Sequence, residues 1–307
     1  MAVIPVGEVA FAGFDVVRRK PLAVLVWGLV MFAFFLAILV SVTAMFGSLW
    51  QAVEQADGAE PSLGDVLAMQ VQLMMFQFGI WLASILVRVV LTCAVFRAVL
   101  EPQDDRFAYM RLGKAELLVA LVLLCLSIIL TILIMGGLLV GVGVTMAAWA
   151  ASKALAIGLG MLIFLALLVL FAWVGVRLSI ALPMTFAERR FRFFEAWELT
   201  RGNVGNLFLV LLVVIAIVLL IEIAIGGLVA AIVLSMAAGG AFTEASVEAF
   251  FQRPPQEWLG VLGPAVLGLG ALFAVILAAL QAIVTAPWAA AYRALAPAEA
   301  VEVESPA

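Results

Sequence analysis

The 307-residue chain is 67% hydrophobic and only 12% charged, with a formal net charge of −4 and a mean hydropathy of +1.28. A water-soluble domain carries about 25% charged residues, so a soluble globular fold is excluded from the start. The chain has no histidine, which removes His-based zinc sites, Ser-His and Cys-His nucleophile pairs and histidine acid–base catalysis together.

Residues 5–20 read as a short amphipathic helix, with Val6, Val9, Ala10, Gly13, Phe14 and Val17 on one face and Glu8, Asp15, Arg18 and Arg19 on the other. Arg18-Arg19-Lys20-Pro21 then leads into a first apolar span over 22–46. The loop after it carries Glu54, Asp57, Glu60 and Asp65 and no base. Ser62-x-x-Asp65 after Pro61 marks a helix start, and the second span is expected over 73–98. Arg97 closes it, and Arg106, Arg111 and Lys114 follow. The third and fourth spans are expected over 116–139 and 158–183, the latter ending at Pro183 before Arg189, Arg190, Arg192 and Arg201. A fifth, 206–234, precedes an acidic loop, and a sixth, 259–290, ends at Arg293. Residues 294–307 form an acidic, Ala/Pro-rich tail expected to be disordered. Each run meets the requirement of roughly 20 apolar residues per crossing, and its backbone polar groups must pair internally, as helices. The fold class is all-α: a polytopic integral membrane protein of six transmembrane helices with interfacial amphipathic segments, in a single membrane domain, 1–293.

Twelve of the sixteen Lys/Arg residues fall in the N-terminal segment, the second and fourth connections and the C-terminal end. The positive-inside rule therefore predicts both termini in the cytoplasm. It also favours two helices over three in 117–187, because three would put the four-arginine segment outside. Trp50, Trp149 and Trp258 fall at outer ends, and Trp288, Tyr109 and Tyr292 at inner ends, as an aromatic belt requires. Glu8 and Asp15 precede the basic group, and the first apolar run is too long for a signal h-region, so no cleavable signal is expected.

Three hairpins, 1–102, 103–190 and 191–293, open alike: Phe14-Asp-Val-Val-Arg-Arg-Lys, Phe107-Ala-Tyr-Met-Arg-Leu-Gly-Lys and Phe194-Glu-Ala-Trp-Glu-Leu-Thr-Arg. Returning spans also echo one another, Ala94-Val-Phe-Arg-Ala-Val-Leu-Glu-Pro102 resembling Ala290-Ala-Tyr-Arg-Ala-Leu-Ala-Pro297, and Pro183-x5-Arg189 matching Pro287-x5-Arg293. All three start on the same side, unlike the inverted repeats of many transporters. Arg177-Leu-Ser-Ile-Ala-Leu-Pro183, then Phe194-Glu-Ala-Trp-Glu-Leu-Thr-Arg-Gly-Asn203 opening a new span, resembles bacterial proteins of the glycerophosphoryl diester phosphodiesterase membrane-domain type. Val-Arg-Arg-Lys-Pro21 and Met-Arg-Leu-Gly-Lys114 are similar to relatives consisting of the membrane part alone. The resemblance implies a six-helix inner-membrane protein. In fused members the hydrolysis belongs to a separate soluble barrel with histidines and metal-binding carboxylates, for which this chain has neither room nor residues, so phosphodiesterase activity is not expected.

Arg88, Arg177 and Glu222 are the charges inside spans. Arg88 precedes Arg97 by nine residues, roughly 13 Å along a helix. A mid-span charge costs roughly 2.5–3.5 kcal/mol on insertion scales and so seeks the bundle interior. Glu222 is expected to face protein, toward Arg88, and Arg177 to reach a polar cavity. These residues admit two readings: a structural ion pair with a snorkelling arginine, or a substrate or headgroup site. Arg189, Arg190, Arg192, Arg201 and Asn203 form a second group, read as an interfacial anchor with internal pairs such as Glu188–Arg192 or as a surface for anionic headgroups or a partner. Gly137-x-x-x-Gly141 and its neighbours suit close helix approach. Cys93 and Cys125 lie far apart in apolar runs and read as buried thiols rather than a disulfide or metal pair. No catalytic residue, cofactor or metal is expected, nor any nucleic-acid partner. The function expected is non-enzymatic binding of membrane lipids or other membrane proteins; the alternative is a carrier or channel with an Arg/Glu-lined interior.

Overall fold

The computed structural model describes residues 4–55, 62–240, 243–254 and 257–296. Among them the regular structure is entirely helical. Asp57 and Glu60 of the first acidic loop, and residues 297–307 of the expected tail, lie outside the described residues.

Two short helices open the chain, α1 (Val6–Ala10) and α2 (Ala12–Arg19), where one was expected. Phe11, at φ −91° and ψ 2°, leaves the helical geometry. That interruption shifts the helical phase, so Phe14 turns outward while Val9, Ala10, Gly13 and Val16 stay buried. The helix α3 (Pro21–Gln55) begins on a proline, whose missing N–H costs nothing at a first helical position. α4 (Leu63–Leu100) starts at the expected Ser62-x-x-Asp65 box. There the Asp65 backbone N–H donates to Ser62 Oγ (3.2 Å) and the Ser62 backbone N–H to Asp65 Oδ2 (3.0 Å).

After a 3₁₀ turn at Arg106–Tyr109 come α5 (Lys114–Trp149) and α6 (Lys153–Leu178), so 117–187 holds two helices long enough to cross a membrane rather than three. The expected span to Pro183 stops early: α6 ends at Leu178 and a separate α7 (Ala181–Glu188) follows. Pro183 has no N–H for the Ser179 carbonyl and its ring crowds that group, so it fits the first turn of α7 but not the interior of α6. A single-turn α8 (Glu195–Leu199) precedes α9 (Val204–Ala238). The acidic segment beyond holds a helix not anticipated, α10 (Glu244–Phe251), capped by Thr243, whose hydroxyl accepts from the Ser246 N–H. The chain closes with α11 (Trp258–Leu295).

Six of these helices are long and apolar enough to cross a membrane. Their flanks expose Leu139, Phe164, Leu220 and Ile223, among many others, contiguous apolar surface that water would not tolerate and hydrocarbon would. The chain is a multi-pass α-helical membrane protein. Helices of 35–38 residues reach about 52–57 Å at 1.5 Å per residue, well beyond a hydrocarbon core of about 30 Å.

Contacts divide the chain into two units. One comprises Met1–Val16, Thr92–Val214 and Thr285–Ala307. Within it α5 and α6 form a hairpin in which Gly137 and Gly141 receive Leu167 and Ile163, and Gly160 meets Thr145, the close approach expected of small residues. Gly136, Gly143, Gly226 and Gly227 face open space instead. The other unit comprises Val17–Leu91 and Ile215–Val284. In it α3 and α11 meet at Gly28, whose hydrogen-only side leaves room for the Val275 backbone, and at Gly270, which faces Phe32 and Phe35.

Candidate functional site

The densest polar structure lies in the first unit, where the C-terminal turns of three returning helices meet. Arg293 of α11 donates to the Val99 carbonyl of α4 (3.3 Å), and the Tyr292 hydroxyl donates to Glu188 Oε1 of α7 (3.3 Å). Phe96 of α4 packs on Phe186 of α7, with ring centroids 5.9 Å apart. The Arg97 guanidinium lies over the same Phe186 ring, 5.2 Å from its centroid. These are the segments whose sequences echo one another. Arg97, Arg189 and Arg293 nevertheless meet different fates: the first is buried, and the other two are exposed.

Arg97 is 6% exposed and its partner Glu116, in the first turn of α5, 4%. Their ion pair is 2.5 Å long, Glu101 adds a second carboxylate at 3.6 Å, and Arg97 Nη1 donates to the Tyr109 carbonyl. This knot holds an unusual backbone. Phe107, Ala108 and Tyr109 have φ of 51°, 54° and 67°, left-handed values that cost an L-residue roughly 1–2 kcal/mol each. Tyr109 is buried and its hydroxyl donates to the Pro102 carbonyl (3.3 Å), while Arg111 pairs with Asp104. Tyr109 and Tyr292, expected in an aromatic belt, are instead buried anchors. The Arg97–Glu116 pair was not anticipated; a lone carboxylate at the first residue of an apolar span was the available signal.

Of the span charges, Arg88 and Glu222 are both exposed on their helices, and among the described residues no ion pair joins them. This corrects the expectation that Glu222 faces protein toward Arg88. Spacing along two separate helices gives depth but not rotation, and rotation decides what a side chain faces. Arg177 does turn into its unit. Its Nη1 donates to the Trp197 carbonyl of α8 (3.0 Å), and its guanidinium lies 5.0 Å from the Trp197 ring and 5.8 Å from the Trp173 ring. The two indoles meet edge-to-face at 4.9 Å. Thr200 ties α8 to the end of α6 by donating to the Trp197 carbonyl (3.1 Å) and the Arg177 carbonyl (3.4 Å).

In the segment between α7 and α9, Arg192 pairs with Glu188 (2.9 Å), as expected, and with Glu195 (3.1 Å). The hydrogen bond to Glu195 and the nearby Glu188 charge push the Arg192 guanidinium up from its ordinary value. Glu195 is held below the usual carboxylate range, first by its own backbone N–H and then by Arg192. Arg189 ends α7 in a left-handed conformation, 3.9 Å from Glu101. Arg190 and Arg201 are exposed, and among the described residues neither is matched by a carboxylate. Asn203 is buried at the start of α9 and is withdrawn from that surface. The opening phenylalanines of the three hairpins are exposed as well, Phe107 at 83%, Phe194 at 75% and Phe14 at 39%.

No protein-family model matches the sequence, and comparisons with curated proteins and with solved structures likewise give no match.

Proposed function

We propose that this is a non-enzymatic six-span protein of a bacterial cytoplasmic membrane, with both termini inside the cell, that binds anionic phospholipid headgroups along its basic connections and so serves membrane organisation. The likeness to the membrane part of glycerophosphoryl diester phosphodiesterases, without the barrel, belongs to the same proposal. One observation carries it: Phe107 and Phe194 are exposed in the same connections that expose Arg106 and Arg190. A loop surrounded by water has no use for a bare phenyl ring, whereas the boundary of a bilayer takes the ring into its acyl edge and the guanidinium into its headgroups. Each base near an anionic surface contributes about 1 kcal/mol. The exposure of Arg88 and Glu222 on their helices gives less support to the alternative, a carrier or channel with an interior lined by Arg88, Arg177 and Glu222.

The test is thermal unfolding of the purified protein in nanodiscs of phosphatidylcholine alone and with added phosphatidylglycerol. The anionic lipid is expected to raise the midpoint, and the Arg189→Gln/Arg190→Gln/Arg201→Gln variant to lose most of that rise. Equal midpoints in both lipids would contradict the proposal.

A further inference from the structure

Arg97 and Arg177 sit near the ends of returning spans, and their electrostatics are opposite. Arg97 is saturated by Glu116, Glu101 and the Tyr109 carbonyl. Arg177 meets no carboxylate among the described residues: its one hydrogen bond goes to the Trp197 carbonyl, and its Nε is sealed from the surface without a partner. A guanidinium offers five N–H donors in a fixed plane, so the remaining Nη hydrogens are uncommitted. Two indoles hold that plane, and Trp197 itself is fixed by Thr200. A half-buried cation with idle donors is completed by an anion that reaches its open edge. Planar, rigidly held guanidinium edges match the oxygens of a phosphate ester in pairs. Trp173 is half exposed, so the cage has an open wall.

We propose that Arg177, Trp173 and Trp197 form a binding site for one phosphate-bearing anion, supplied by a phospholipid headgroup. It rests on the lipid-binding reading above and adds a single, stoichiometric position to it. Trp173, one turn before Arg177 on α6, supplies the exposed wall of the cage.

Native mass spectrometry of the full chain in uncharged detergent tests this, with short-chain phosphatidylglycerol, phosphatidylcholine and inorganic phosphate as probes. The wild type is expected to hold one phosphatidylglycerol. Arg177→Gln should weaken that binding by at least about tenfold, the loss of a charge-assisted hydrogen bond, and Trp173→Leu by about threefold, the loss of one cation–π face. Arg253→Gln, a base that belongs to neither the cage nor the basic connections, should leave the single lipid in place. Competition by inorganic phosphate at comparable concentration would overturn a lipid source, because the anion would then be soluble phosphate. Unchanged affinity in Arg177→Gln, or in Trp173→Leu if the first variant fails to fold, would overturn the site. The broader reading would still stand if the Arg189→Gln/Arg190→Gln variant loses its preference for anionic nanodiscs.

Discussion

At the scale of single residues, burial decides which charges matter. Arg97 and Glu116 are removed from solvent together, and each is tolerable only because the other is present. Arg97→Met alone should therefore destabilise the protein by about 3–5 kcal/mol, since it strands the Glu116 carboxylate, and it also releases the left-handed run at Phe107–Tyr109. Arg97→Met combined with Glu116→Leu should recover much of that loss, because no unpaired charge remains. Thermal unfolding of both variants in detergent checks this; a single variant as stable as wild type would show that the pair carries no weight. Little of the knot was legible in the sequence. Arg97 was visible as one of a group of bases closing a span, but its burial depends on α5 folding back to bring Glu116 beneath it. Arg177 was legible as an intramembrane charge, though its indole cage depends on α8, a helix too short to show periodicity.

At the scale of elements, glycine and proline explain both the agreements and the departures. Six apolar runs became six long helices because hydrophobic length is a local property. The Pro183 and Pro287 motifs looked equivalent, yet Pro183 stands just after a helix break and Pro287 inside the unbroken α11. A proline removes one hydrogen bond at either place; whether the helix continues is set by what its neighbours pack against. Glycines separate the same way. A Cβ at Gly28 would lie 2.8 Å from the Val275 Cα, and backbone cannot step aside, so Gly28→Ala should part α3 from α11 at about 1–3 kcal/mol. Gly136 faces open space, so Gly136→Ala should be neutral or stabilising by up to about 1 kcal/mol. Comparative melting of the two variants distinguishes them, and equal behaviour would contradict the packing described for Gly28.

At the scale of the whole molecule, the protein separates an apolar body from a small number of basic connections. The helical class and the six crossings followed from composition and run length. Several helix ends did not, because polar residues such as Gln51 and Lys114 extend helices past any hydropathy boundary, whereas the start of α4 was legible in its Ser62-x-x-Asp65 box. The central claim is that the arginine-rich connections stay in the cell interior while the acidic ones emerge. Reporter fusions that are active only outside the cytoplasm measure this directly. Fusions after Lys114 and Arg201 are expected to be silent and those after Glu60 and Glu248 active; the opposite pattern would contradict the account.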